Sequence, residues 1–248
     1  MIKLCLIGYG KMGQKIHQLS AEKSCEVVSI IDPGKAGYAS EISLKTLNGA
    51  DVAIDFSQPS AVLNNLENLI KLKQTTVVGT TGWDKDLKRI SQAAQAADMG
   101  FLYGANFSVG MNLFSRLVAS AVEIFDRFEE YDLLAWEKHH AQKADSPSGT
   151  AIELANLILE KSSRKNKVVW DRLERRPHAD EFHFASLRGG KIPGSHSLAF
   201  DSEADTIELS HVVRSRDTFA FGALQAAKWI SDKKGVYSFQ DMIQDILC

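Results

Sequence analysis

Residues 137 to 151 read Glu137-Lys138-His139-His140-Ala141-Gln142-Lys143-Ala144-Asp145-Ser146-Pro147-Ser148-Gly149-Thr150-Ala151. This stretch holds an imidazole pair, an ammonium and a Ser-Gly-Thr step. The apolar run Tyr131–Trp136 leads into it as a strand, so His139 and His140 are expected on opposite faces. The turn that follows brings Lys143 back toward the same end. Ala151, Leu154, Ala155 and Ile158 recur at helical spacing and predict a helix over 151–160, which Ser148-Gly149-Thr150 opens. The first N–H groups of a helix lack partners within it and carry partial positive charge. With the Ser148 and Thr150 hydroxyls they form a cradle for an anion. An imidazole for proton transfer, an ammonium and a carboxylate-sized cradle suit reduction of a small dicarboxylic substrate. No metal is expected, because HExxH spacing is missing and the sequence offers the two histidines no third ligand nearby.

A second set of residues could hold a dinucleotide. Gly8-Tyr9-Gly10-Lys11-Met12-Gly13 follows an apolar run and opens an amphipathic stretch. Its first glycine permits a tight turn, the second lets backbone N–H groups approach a pyrophosphate, and the third lets helix and strand pack closely. Asp32 lies nineteen residues past Gly13 at the end of the next apolar run. There it would accept hydrogen bonds from ribose hydroxyls and repel a 2′-phosphate, which favours NADH over NADPH. Lys35 either offsets that repulsion or is an ordinary solvated lysine. Two further loops, Gly79-Thr80-Thr81-Gly82 and Gly104-Ala105-Asn106-Phe107-Ser108, follow predicted strand ends, where open parallel sheets bind their ligands. Threonine hydroxyls and close-packed glycine backbone suit a ribose and a nicotinamide amide. Read alone, the same loops are sharp turns.

The elements that must position these groups form two patterns. Strands are predicted at 2–7, 27–31, 52–56, 75–78 and 101–103, with helices at 13–21, 60–71 and 87–97 between them. Such alternation, with short continuously apolar strands, signals βαβ units and a parallel sheet covered on both faces. A helix over 111–125 follows. Strands at 131–136, 168–170, 182–187, 195–200 and 206–213 then come with a single helix among them. They predict an α+β unit with a mixed, largely antiparallel sheet. A last helix over 219–231 returns to the first body. The fold class is therefore α/β, a Rossmann-type parallel-sheet domain from residues 1–107 and 216–248 around an inserted substrate-binding and oligomerisation domain, 108–215.

Composition sets the limits. At 44% apolar and 24% charged residues over 248 positions, the chain has the balance of a globular protein rather than a disordered or fibrous one. A net charge of −2 without a basic stripe argues against nucleic acid as partner. Arg172, Arg175 and Arg176 read as a solvated face. Cys5, Cys25 and Cys248 are scattered and odd in number, which excludes a disulfide framework, and Cys5 is expected to pack as a small hydrophobe. No signal peptide, membrane span or membrane partner is expected, and the predicted location is cytoplasmic.

These motifs together resemble the family of 4-hydroxy-tetrahydrodipicolinate reductases, also called dihydrodipicolinate reductases, of the diaminopimelate route to lysine. The matching pieces are Gly8–Gly13, Asp55-Phe56-Ser57, Gly79–Gly82, Asn106–Asn112, Glu137–Ala151, Arg188-Gly189-Gly190, Gly194-Ser195-His196, and His211 with Ser215-Arg216 and Phe219-Ala220. The most specific is E-x-H-H-x-x-K-x-D-x-P-S-G-T-A, met by Glu137 to Ala151. The resemblance implies hydride transfer from NADH or NADPH to a cyclic dicarboxylic imine, in a homotetramer. It puts His139 on the proton donor and acceptor position and Lys143 on that of a second proton donor. His140, Gly149 and Thr150 fall on substrate-carboxylate positions, with Ser148 beside them. Phe56, Gly79, Thr80, Thr81, Gly104, Ala105, Asn106 and Phe107 fall on cofactor positions. The chain departs from the pattern in a phosphate loop one residue shorter than in many members, in Lys138 where alanine is common, and in Ser195 where an acid is common. A two-domain amino-acid dehydrogenase would explain Gly8–Gly13 and Asp32 but not the His-His-Lys segment. A silent dinucleotide-binding regulator would have no need of both His139 and Lys143.

Overall fold

A computed structural model describes residues 1–170 and 172–247; Cys248 lies outside them. The chain begins with β1 (Ile2–Ile7), α1 (Lys11–Ser20), β2 (Cys25–Ile31) and a one-turn α2 (Leu44–Leu47), then β3 (Val52–Asp55), α3 (Pro59–Lys71), β4 (Thr76–Val78), α4 (Leu87–Ala96) and β5 (Gly100–Tyr103). It continues with α5 (Val109–Phe125), β6 (Asp132–His139), α6 (Gly149–Lys161), β7 (Lys167–Trp170), β8 (Glu181–Arg188), β9 (Ser195–Asp201) and β10 (Thr206–Val212). It closes with α7 (Asp217–Ile230), β11 (Gly235–Ser238) and α8 (Phe239–Leu247). No helix among the described residues is long and apolar enough to cross a membrane.

Two compact units result, one of residues 1–109 with the segment from Asp217 onward, the other of Gly110–Arg216. In the first, a six-stranded sheet runs in the order β11-β5-β4-β3-β1-β2 with every pairing parallel. The strands are apolar throughout because helices cover both faces, and β3 and β4 are wholly buried. One face packs Val62, Leu66 and Leu69 of α3 and Ile90 and Ala94 of α4 around Cys5, Ile7, Val78 and Phe101. Another helix, α7, reaches the sheet with small residues, Ala220, Gly222, Ala223, Ala226 and Ala227, which let it lie close. A Cβ on Gly222 would sit 1.8 Å from the Phe107 carbonyl oxygen, so the loop after β5 is fitted directly against this helix.

The expected five strands are joined by a sixth, β11, followed by α8. Val236 and Tyr237 are only two apolar residues after a charged stretch, too few to form a pattern. The strand is held instead by pairing with the β5 edge, Val236 opposite Phe101.

The second unit carries a five-stranded sheet, β10-β9-β6-β8-β7. It is mixed, as expected, but less antiparallel than expected. The β9 strand is antiparallel to β10 and β6, whereas β8 is parallel to β6 and β7. Scarcity of helices predicts antiparallel order, yet β7 and β8 are parallel neighbours and the described residues between them, 172–180, form no helix. Leu133 and Ala135 of β6, Phe182 and Phe184 of β8, and Leu198 and Phe200 of β9 face α5 and α6 and form this core with Met111, Phe114, Leu154 and Ile158.

Candidate active site

The glycine loop of the first unit is tight at both ends and open in the middle. A Cβ on Gly8 would meet the Phe56 carbonyl oxygen at 2.6 Å, and one on Gly13 would meet the Gly8 carbonyl oxygen at 2.3 Å. Gly8 also has φ +85°, in the left-handed region that favours glycine. At Gly10 a Cβ would meet nothing within 4 Å. Gly10 is the N-cap of α1 and supplies no side chain to the first N–H groups, those of Lys11, Met12 and Gly13. An uncapped helix start behind an open glycine is the geometry a pyrophosphate fits.

Asp32 follows β2 directly and accepts from Tyr9 N at 2.8 Å and Gly34 N at 3.0 Å. Its carboxylate is thereby fixed beside the glycine loop. The Lys35 ammonium donates to the Tyr9 carbonyl and lies 5.2 Å from the Tyr9 ring centre. Of the two readings of Lys35, this favours a lysine held at the loop over one solvated at large.

The other two loops gather at the same strand ends. Phe56 packs edge-on against Phe107 with centroids 5.6 Å apart, and Phe107 meets Phe239 of α8 at 4.7 Å. A Cβ at Gly79 would fall 2.2 Å from the Phe56 ring, and one at Gly104 2.9 Å from Phe239 Cβ, so both glycines are required by close packing. Ala105 is exposed and Asn106 half-buried; the Asn106 side chain accepts from Ser108 N.

One expectation changes here. Thr80 is buried and its hydroxyl donates to Asp55 Oδ1 at 2.7 Å, so that proton serves the fold rather than a ribose, while Thr81 is exposed. Asp55, fully buried, also accepts from Ser57 and Asn65. Burial pushes its carboxyl above the usual range, against these donors. It ties the loops after β3 and β4 together, a role its bare occurrence in the sequence did not disclose.

In the second unit, β6 runs past its predicted end through Glu137, Lys138 and His139. Polar residues continue the strand because β8 and β9 flank it: Ser186 and His196 stand opposite Glu137 on its two sides, and His211 of β10 stands opposite His196. A polar row thus crosses the sheet at one level. Glu137 is completely buried. Its Oε1 accepts from Ser148 N at 2.9 Å, Ser186 Oγ at 2.9 Å and Arg188 Nη2 at 2.8 Å. Its Oε2 accepts from the Ser148 hydroxyl and lies 3.1 Å from His139 Nδ1 and 3.5 Å from His196 Nε2. Burial opposes ionisation of Glu137, but the groups of His196, Ser148 and Arg188 outweigh it and hold the carboxyl well below its usual range.

His139 is buried beside His196, ring centroids 5.3 Å apart. Burial lowers its pKa to about 4; Glu137 raises it, while His196, Lys143 and Arg188 lower it further. His140 is half-buried just after the strand, and its carbonyl accepts from Lys143 N at 3.1 Å. The predicted turn therefore forms. The Lys143 ammonium donates to Asp145 Oδ2 at 2.8 Å. Arg188 donates to the Asp145 carbonyl at 2.7 Å and so fastens this loop to Glu137.

Helix α6 begins at Gly149, with Ser148 as N-cap accepting from Ala151 N at 3.1 Å. Ser148 is buried and both its hydrogen-bond donors go to Glu137, so it holds the helix start in place rather than offering its hydroxyl to an anion. Gly149 is exposed with nothing near its Cβ position, and Thr150 is half-buried; these two remain as the cradle. The adjacent His139 and His140 do not form a ligand pair in the cluster that could hold a metal ion; among the described residues it is Glu137, His139 and His196 that bring ligand atoms within 4.8 Å of one another. These groups meet each other directly, and Arg188 already balances the carboxylate charge. Arg188, His196 and Ser186 are site residues to which the sequence reading gave no role, although Arg188-Gly189-Gly190 and Gly194-Ser195-His196 marked two of them.

Comparison with known proteins agrees over both units. Residues 2–107 match the family model "Dihydrodipicolinate reductase, N-terminus" and residues 110–243 match "Dihydrodipicolinate reductase, C-terminus". The chain is 36% identical over 247 residues to the 4-hydroxy-tetrahydrodipicolinate reductase of Christiangramia forsetii, covering 99% of each. It is 37% identical over 248 residues to that of Staphylococcus carnosus, covering 97% of this chain and 99% of the other. Among solved structures, dipicolinate-bound dihydrodipicolinate reductase from Paenisporosarcina sp. TG-14 shares the fold, with TM-score 0.79 and 22% identity over 98% of this chain and 99% of that one.

Proposed function

This chain belongs to the dihydrodipicolinate reductase family, and from that premise we propose how its residues share the reaction. It is an oxidoreductase that uses a reduced nicotinamide cofactor to convert the cyclic imine derived from 4-hydroxy-tetrahydrodipicolinate to tetrahydrodipicolinate, a step toward lysine by the diaminopimelate route. The reduction adds one hydride and one proton to the ring. NADH or NADPH, when bound, supplies the hydride. The open Gly10 at the uncapped start of α1 supports the pyrophosphate there, Asp32 the adenosine ribose, and Gly79, Thr81 and the Gly104–Phe107 loop the nicotinamide end. NADH is the preferred donor and NADPH is accepted.

The dicarboxylic substrate is assigned to the second unit. The N–H groups of Gly149 and Thr150, with His140, take a carboxylate, and Lys143 adds an ammonium that must loosen from Asp145 to act. His139 moves the proton. A buried imidazole neutral at pH 7 becomes a better proton carrier when a substrate with two negative charges arrives, because opposite charge favours its protonated form. The observation that carries this reading is the placement of His139, the Lys143 loop and the α6 start around one buried carboxylate. The protein is placed in the cytoplasm, as a homotetramer.

The test is turnover of the hydroxy imine substrate by purified protein. His139→Ala and Lys143→Ala are each expected to lower kcat by about 10²- to 10⁴-fold, the usual cost of a lost general acid, with dinucleotide affinity unchanged. Wild-type kcat in either variant refutes that residue's role. A dicarboxylate such as dipicolinate should raise the pKa of His139, followed by NMR.

A further inference from the structure

The carboxylate of Glu137 has more partners than a strand residue needs, and each partner belongs to a different part of the substrate end. Ser148 fixes the start of α6, Arg188 fixes the Lys143 loop through the Asp145 carbonyl, Ser186 comes from β8, and His139 and His196 bring their rings to Oε2. His139 presents its two nitrogens to different surroundings. Nδ1 is buried, 3.1 Å from Oε2 but outside hydrogen-bond angle, and has no other partner among the described residues. Nε2 points past bare backbone: a Cβ on Gly194 would stand 3.0 Å from it, and glycine keeps that space empty. Catalytic hydrogen bonds are often misaligned before substrate binds and tighten in the complex.

We propose that Glu137 is the positioning residue of the substrate end: it accepts a hydrogen bond from His139 Nδ1–H, so that Nε2 is the atom that exchanges a proton with substrate, and it holds the α6 start and the Lys143 loop in register with that ring. The partner on one ring nitrogen sets the chemistry of the other. A carboxylate also stabilises the imidazolium formed during transfer. The inference rests on the reading that His139 transfers the proton. The charged and titratable groups facing His139 are Glu137 on its own strand, Arg188 on β8, His196 on β9 and Lys143 from the loop; His196 in turn acts on Glu153 of α6 and His211 of β10.

The experiment compares Glu137→Gln and Glu137→Asp with wild type in the full chain. Gln keeps the shape and one acceptor oxygen but removes the charge. It should lower kcat about 10- to 100-fold, short of the loss on removing the general acid itself, and leave dinucleotide affinity unchanged. The alkaline limb of the pH–kcat profile, where the donor has lost its proton, should move to lower pH, because the Glu137 charge favours the imidazolium. Asp restores the charge one methylene short and should return the limb with part of kcat. Adding Glu137→Gln to His139→Gln should cost much less than it does in the wild type, the remainder coming through the Lys143 loop, since residues that act as a unit are not additive. A folded Glu137→Gln protein with wild-type kcat and pH limb overturns the proposal, as does one whose melting temperature alone falls. Wild-type kcat in His139→Gln alone overturns instead the reading on which it rests. Should Glu137→Gln fail to fold, nitrogen-15 NMR of His139 in the wild type decides: the Nδ1–H tautomer supports the proposal and the Nε2–H tautomer overturns it.

Discussion

The NADH preference proposed above rests on one carboxylate, that of Asp32. Its two oxygens already take Tyr9 N and Gly34 N, so it is rigid, and a phosphate brought to it meets fixed negative charge. Like charge at this range costs about 1–3 kcal/mol, roughly ten- to a hundredfold in affinity. Lys35, held on the Tyr9 carbonyl, offsets part of it. Asp32→Ser should shift kcat/KM toward NADPH, and Lys35→Ala should weaken NADPH selectively, both measured at fixed ionic strength. A strong NADPH preference in the wild type would overturn the argument. Other residues act by being spent. Cys5, fully buried, has its thiol pushed up to about 11 by burial, which accords with its reading as a small hydrophobe. Arg172, Arg175 and Arg176 are exposed, as a solvated face is, and Arg175 also pairs with Glu181 at 2.7 Å.

At the scale of elements, α6 joins stability to the site. Ser148 caps Ala151 N–H and gives both its donors to Glu137. Ser148→Ala should therefore lose a cap and leave a buried carboxylate short of one donor, together about 2 kcal/mol. The urea midpoint should fall accordingly and kcat should fall with it, because Glu137 is less well held. An unchanged midpoint would show that the buried bonds contribute nothing net. The elements themselves were largely legible. β1, α3, α4, β5 and α7 lie within two residues of where apolar spacing placed them. The missed strand segments have one cause. β11 and the polar end of β6 are strands because of what pairs with them, and pairing across the sheet leaves no mark in local sequence.

The whole molecule should respond to acid through its buried histidine. His139 titrates near 4 in the fold and near 6.5 in the unfolded chain, so between these values the unfolded chain binds more protons. Stability is therefore complete above pH 6.5 and falls as pH drops toward 4, by about 3 kcal/mol from this group. Glu137, held below its usual range, adds a loss at still lower pH. Urea titrations at pH 7 and pH 5 should show the drop, and His139→Gln should flatten it. Assembly is the other property at this scale. One face of the second sheet lies against α5 and α6, while Leu134 and Leu187, 40% and 53% exposed, sit on the other by strand alternation. These two exposed leucines support the tetramer proposed above. Leu187→Lys should reduce the sedimenting mass, and an unchanged mass would place the interface elsewhere.

The sequence by itself determined the groups available and the local frames that carry them: the glycine loop before a helix, the acid after β2, and His139, Lys143 and Gly149 within one fifteen-residue stretch. Local order suffices there because each frame is a strand, a turn and a helix start adjacent along the chain. Only the tertiary structure decided what those groups are attached to. Glu137 looked like one more letter of a motif. It becomes the centre of the substrate end proposed above because β8 brings Ser186 and Arg188 to one side of β6 and β9 brings His196 to the other, some fifty to sixty residues along the chain. Ser148 and Thr80, expected to face ligands, turn inward for the same reason. A buried carboxylate must be satisfied by whichever donors the fold brings within reach, and hydroxyls at neighbouring turns are the ones within reach.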